Sequence, residues 1–272
     1  MPYSIVMRLW LLLALLNAAV AFPGQQPETM SLLEKPLFAP PLASEERSKR
    51  EGARAATRAA YDRDRASVDA ALALARADMA LGRVGDSLEV LTRALETNPD
   101  DPRLTLERGR GLIVIRKFEL AGKELRKPAE TLPDAHCALG VAQYLAADFA
   151  HARESFGKCP DPGIFGYLAD RRAGHSAMPR PTVSREPTPD PSPALRMPGA
   201  ATKPGPAMRI PVTATYLDAA ERLIEGKSEA AKNLLKQIVE KNRNDWMDPV
   251  YIAAEADYAR LLKAEPKKKK KK

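Results

Sequence analysis

Few residues in this sequence have the type and spacing that catalysis or metal binding requires. The three histidines stand at positions 136, 151 and 175, and no two of them are spaced as metal ligands on one helical face. His136 is adjacent to Cys137, but neighbouring residues of a helix point about 100° apart, so the two side chains would not face each other. No glycine-rich phosphate loop or nucleophile motif is found. The sequence therefore predicts no catalytic residue, no metal site, no cofactor and no small-molecule substrate.

The two cysteines, Cys137 and Cys159, suggest a structural role. Cys137 falls near the start of one predicted helix and Cys159 at the end of the next. Antiparallel helices bring those ends together, so a disulfide is expected if the compartment is oxidising. The alternative is a pair of buried free thiols at helix-packing positions.

The first residues have the pattern of a secretory signal. Arg8 precedes an apolar run, and Ala19-Val20-Ala21 has the small residues that signal peptidase accepts. The run is shorter than the roughly twenty residues that span a bilayer. We expect residues 1–21 to be removed after Ala21 and the protein to be periplasmic or extracellular; an uncleaved membrane anchor is the alternative. Translation could start at Met1 or at Met7.

Composition favours helices over sheets. The 272 residues include 44% hydrophobic but only 6% aromatic side chains, and alanine and leucine are abundant, which predicts an all-α fold. The net charge is +8, but Lys267–Lys272 supply +6, so 8 − 6 leaves only +2 for the rest. This poly-lysine tail could contact an anionic membrane surface or simply aid solubility. Nucleic-acid binding is not expected, because the rest of the chain offers no basic track.

An internal repeat organises the middle of the chain. Five positions recur at an offset of 34 and three of them again at 31, in the three sets Val84, Ser87, Leu91, Leu95, Pro99; Phe118, Ala121, Leu125, Ala129, Pro133; and Phe149, Ala152, Phe156. Paired helices with this period resemble the tetratricopeptide repeat family, from Val68 to Cys159. The resemblance implies an α-solenoid of stacked hairpins, with repeats at about 68–101, 102–132 and 133–162. Residues 101–125, 139–156 and 246–261 also resemble blocks of a group of exported bacterial tetratricopeptide proteins of unassigned activity.

The remaining segments flank these repeats. We expect an extended N-terminal segment (22–42), a helical domain (43–175) that opens with a charged helix, and a proline-rich linker (176–212). A helical hairpin with a closing helix (213–264) and the tail (265–272) complete the chain. The solenoid is thus predicted to be interrupted by the linker.

The resemblance also implies a binding surface. First helices of tetratricopeptide hairpins line a groove that holds a peptide or a partner's helix, and the groove-facing positions here are Arg76, Met79, Arg110, Ile113, Val141 and Tyr144. Two arginines beside an apolar floor would suit an acidic peptide. The same residues could instead be ordinary solvated or packed helix positions. Two functions follow: an exported, non-enzymatic scaffold for a protein or peptide partner, or an envelope-associated spacer that acts through the linker and the basic tail.

Overall fold

The structure is a computed structural model that describes residues 26–183 and 211–264. The predicted signal peptide, residues 22–25, most of the proline-rich linker (184–210) and the poly-lysine tail lie outside these residues. The two described parts contain eleven α-helices: α1 Ser44–Arg63, α2 Val68–Ala80, α3 Val84–Thr97, α4 Pro102–Val114, α5 Phe118–Ala129, α6 Pro133–Leu145, α7 Phe149–Phe156, α8 Gly163–Arg172, α9 Val212–Ile224, α10 Ser228–Lys241 and α11 Pro249–Ala264. The all-α prediction is confirmed.

Consecutive helices pack in pairs, as the repeat predicts. Helices α2 and α3, α4 and α5, and α6 and α7 form three stacked hairpins, and each second helix packs on the first helix of the next pair. The equivalent residues Val84, Phe118 and Phe149 each begin a second helix. Successive first helices contact one another, so α2, α4, α6 and α8 together form one side of the array, here called the inner face.

Local sequence explains where the first helices begin. The Ser67 side chain accepts a hydrogen bond from the backbone N–H of Ala70 at the start of α2. Asp101 does the same for Arg103 at the start of α4, where Pro102 occupies the first turn. Such caps satisfy amides that have no partner within the helix, and so they fix where α2 and α4 begin.

The turn inside each hairpin needs a residue with left-handed backbone geometry. In the first repeat this is Gly82 (φ 75°), which adopts the conformation without steric cost. The equivalent positions hold Arg116 (φ 65°) and Ala147 (φ 67°), for which the conformation is unfavourable. The left-handed turn geometry is thus kept even where glycine is absent.

The paired helices approach closely through small residues. A Cβ atom added at Gly109 would lie 2.6 Å from Leu125 Cγ, and one at Gly140 would lie 2.9 Å from the ring of Phe156. The nearest neighbours of the two glycines are thus large residues of the second helices, so each glycine makes room for a bulky side chain.

The C-terminal helices do not form a separate body behind a linker. Helices α9 to α11, here called the C-terminal unit, pack against α6 and α8, and their apolar residues belong to the same core as repeats two and three. Helix α11 is buried from Pro249 to Asp257, and its last three residues are exposed. The start of the predicted linker is also fixed, since Arg180 forms ion pairs with Asp218 and Glu221 of α9.

The N-terminal segment is more ordered than its predicted extended form. It contains a two-stranded antiparallel sheet, β1 (Thr29–Met30) and β2 (Pro36–Leu37). The Phe38 carbonyl accepts a hydrogen bond of 2.8 Å from Trp246 Nε1, and Pro40 packs against the turn at Gly82. This segment therefore joins the first repeat to the C-terminal unit.

Candidate interaction surface

The six predicted groove residues lie on the inner face, but most of them are covered. Ile113, Val141, Tyr144 and Met79 are buried, whereas Arg76 is half-exposed and Arg110 retains a small exposed area. The prediction of an open groove across all three repeats is therefore wrong for repeat three. Sequence periodicity marked the inward-facing positions, but it gave no sign that the chain's own C-terminal unit covers them.

Tyr144 shows how complete this cover is. Its ring makes edge contacts with Phe149 and Phe165, with centroids 5.3 Å and 5.2 Å apart. Its hydroxyl lies 2.8 Å from that of Tyr216 on α9, and the Arg172 guanidinium stacks over its ring. Burial raises the pKa of Tyr144 to about 12. This side chain belongs to the core of the folded protein, and a partner cannot reach it.

Two carboxylates of α11 fix that helix to the inner face. Glu255 pairs with Arg116 in the turn of repeat two, and Asp257 pairs with Arg172 at the end of α8. The sequence alone did not predict a role for these residues, because acidic side chains on an otherwise apolar helix do not indicate which distant residues they contact.

The open part of the inner face lies where repeats one and two meet. The Glu107 side chain is buried there, and its Oε1 accepts hydrogen bonds from Arg76 Nη2 (2.7 Å), Arg76 Nε (3.1 Å) and Arg110 Nη1 (3.3 Å). Two cations share one anion, so the cluster carries a formal charge of +1. The side chain of Arg76 is 53% exposed and that of Arg110 is 14% exposed.

A shallow pocket adjoins these charges. Arg76, Glu107 and Arg110 line its rim, and Met79 and Leu91 form its apolar floor. Its enclosed volume of about 10 Å³ has room for roughly one water molecule. The pocket is therefore too small to hold a small molecule, and a partner would contact its charged rim. We call this surface the Arg76 patch.

Comparison with known proteins identifies the repeat. A family model described as "Tetratricopeptide repeat" matches residues 46–106, which cover α1, both helices of the first repeat and part of α4. These residues are thus similar to a tetratricopeptide repeat, and the later helix pairs stack in the same way. No curated protein matches the sequence. Such repeats generally act as non-catalytic scaffolds for protein partners, and their stacked helices provide extended binding surfaces.

A disulfide lies within the third tetratricopeptide repeat. The sulfur atoms of Cys137 and Cys159 are 2.11 Å apart and their Cα atoms are 4.8 Å apart, which joins the start of α6 to the end of the repeat. Neither cysteine of the protein is free. The bridge constrains a loop with a sequence separation of 22 residues.

A metal site or a membrane-spanning helix would be another kind of functional feature. Within residues 26–183 and 211–264, no three histidine, cysteine, aspartate or glutamate side chains are grouped as a metal ion would require. His151 is exposed and its Nδ1 lies 2.8 Å from Asp148 Oδ2, while His136 lies apart from it on α6. None of the helices in the described parts has the length and apolar character needed to cross a membrane.

Proposed function

We propose that this protein is an exported, non-enzymatic scaffold that binds an acidic segment of a protein or peptide partner at the Arg76 patch. The observation that supports this most is the half-exposed Arg76 guanidinium beside an apolar pocket. The proposed binding surface thus covers only the junction of the first two repeats and not all three. Export and the partner's chemistry are parts of the proposal.

The electrostatics of the patch favour an anionic ligand. Glu107 neutralises only one of the two arginines, so a partner carboxylate can pair with the solvent-facing donors of Arg76. An exposed ion pair contributes only about 0.2–1 kcal/mol. The partner must therefore add contacts outside the pocket, because the floor residues Met79 and Leu91 are themselves buried.

A charge-reversal experiment tests this site. Fluorescence anisotropy would measure binding of a short labelled peptide of alternating leucine and glutamate, with a leucine–glutamine peptide for comparison. We expect Arg76→Glu to weaken binding of the acidic peptide at least tenfold, a loss of about 1.4 kcal/mol. Arg93→Glu is the matched control, because Arg93 is similarly exposed on α3 and pairs with Glu89 in its own helix. Equal binding by both variants would refute the assignment.

Export is supported by the N-terminal sequence and by the bridged cysteines, since disulfides persist in oxidising compartments. Amino-terminal sequencing of the protein recovered outside the cytoplasm tests it. The expected first residue is Phe22. A full-length protein that begins at Met1 or Met7 would contradict the proposal.

A second function rests on the concentration of positive charge in Lys267–Lys272. In it the helical body acts as a spacer and the tail contacts an anionic surface in the cell envelope, with up to about 1 kcal/mol per lysine at low salt. Deleting residues 267–272 should then abolish retention on phosphatidylglycerol vesicles. Retention of the truncated protein would exclude the tail as the contact.

A further inference from the structure

Helix α11 is an unusual occupant of the inner face. Residues Pro249 to Asp257 are all buried, and most of them are apolar. The exceptions are Glu255 and Asp257. Residues two apart in a helix point about 200° apart, so these carboxylates leave α11 from nearly opposite sides. The helix is therefore held from both sides rather than along one stripe.

The Glu255 carboxylate connects three parts of the chain. Its Oε2 accepts a hydrogen bond of 3.1 Å from Arg116 Nε, and its Oε1 accepts one from the backbone N–H of Leu32. The same guanidinium lies 5.6 Å from the ring of Trp246 and donates to the Val114 carbonyl. Arg116 holds this position despite its left-handed backbone, which costs about 1 kcal/mol or more.

The Asp257 carboxylate also accepts several hydrogen bonds. Its Oδ1 accepts hydrogen bonds from Arg172 (2.9 Å) and Arg260 (2.6 Å), and its Oδ2 accepts one of 3.0 Å from the Tyr216 hydroxyl. Arg260 also donates to the Leu145 carbonyl at the end of α6, at 2.7 Å. Glu255 is thus met by donors from the turn of repeat two and the N-terminal segment, and Asp257 by donors from α8, α9 and α11 itself.

These contacts describe a recognition surface for a helix. Arg116 and Arg172 belong to the repeat array and are almost fully buried, so each needs a carboxylate on whatever covers the inner face. Between these two ion pairs α11 packs on α6 of the array and on α9 and α10 of its own unit. An amphipathic helix laid into a groove is recognised by this combination of apolar contacts and flanking charges.

We propose that α11 is an internal ligand that keeps this surface closed against a partner helix of the same chemistry, one with an apolar body and two carboxylates on opposite sides. This surface is separate from the Arg76 patch. The role proposed for it is additional to the proposed function. A tethered ligand acts at an effective concentration in the millimolar range. A partner helix therefore binds only when the contacts that keep α11 in place are weakened.

The test uses the full chain and a labelled peptide of residues 246–264. We expect the unchanged protein to bind the peptide weakly, and Asp257→Asn to bind it at least tenfold more tightly, because the apparent affinity rises with the fraction of open molecules. Arg260→Ala is a second, milder variant, since Arg260 is partly exposed. Lys263→Ala is the matched control on the exposed end of α11 and should bind as the unchanged protein does.

Circular dichroism separates opening from unfolding. The proposal requires that the two variants keep their helix content while they gain peptide binding. It also requires that a peptide with glutamine and asparagine in place of Glu255 and Asp257 fails to bind. Folded variants without a gain in binding would overturn the proposal. So would loss of helicity in both variants, because α11 would then be part of the core and not a replaceable ligand.

Discussion

Replacing Gly109 with alanine tests the close packing of the paired helices. Alanine favours a helix over glycine by about 1 kcal/mol, so an unpacked site would be stabilised. Here the new Cβ would lie 2.5 Å from Leu125 Cδ2 and 2.6 Å from its Cγ. The Cγ atom is the branch point of a fully buried side chain and cannot rotate away, so α4 and α5 must separate. Overpacking of this kind costs about 1–3 kcal/mol.

Gly122→Ala is the matched control. Gly122 lies in α5 with no atom within 4 Å of an added Cβ, so this change should raise the free energy of unfolding by about 0.5–1 kcal/mol. We expect Gly109→Ala to lower it by up to about 2 kcal/mol, the overpacking cost less the gain in helix propensity. Urea unfolding followed by circular dichroism measures both. The packing argument fails if Gly109→Ala is as stable as Gly122→Ala.

Three further predictions concern the disulfide, the C-terminal unit and its junction with repeat two. Replacing Cys137 and Cys159 with serine should lower the free energy of unfolding by about 3 kcal/mol, measured by urea unfolding without reductant; no change would mean that the bridge does not constrain the unfolded chain. Burial raises the pKa of Asp248 from 3.8 to about 6, so the folded state binds this proton more tightly than the unfolded state does. The free energy of unfolding should therefore fall as the pH rises from 4 to 6, by at most about 3 kcal/mol for this partly buried group. Asp248→Asn should flatten that dependence, and an unchanged pH profile would count against the assignment. Arg116→Ala leaves Glu255 buried and unpaired and should cost about 3–5 kcal/mol. Adding Glu255→Gln should recover part of that loss, and additive losses in the double-mutant cycle would show that the pair is not coupled.

The repeats were predictable because they depend on local patterns. Small, apolar and proline residues recur at fixed offsets, and the structure begins α3, α5 and α7 at the aligned residues Val84, Phe118 and Phe149. Ser67 and Asp101 cap α2 and α4 through equally local hydrogen bonds. Such signals act over a few turns of chain, so one sequence contains them in full.

The cover of the inner face was not predictable in this way. Arg116 and Glu255 are 139 residues apart, and neither has a local pattern that names the other. A periodic apolar face predicts that its residues are buried, but it does not identify the element that covers them. Glu107 could have been found, since it lies three residues before Arg110 and so on the same helical face. That spacing predicts only the Glu107–Arg110 pair, because Arg76 reaches Glu107 from another helix.

Site-specific photo-crosslinking in the cells that produce the protein tests the central claim most directly. A photoreactive side chain at position 76 lies on the open part of the inner face, one at 93 lies on an exposed second helix, and one at 144 lies under the C-terminal unit. The account predicts that position 76 captures a protein partner and that positions 93 and 144 do not. Capture from position 93 but not from 76 would place the partner elsewhere and contradict the account.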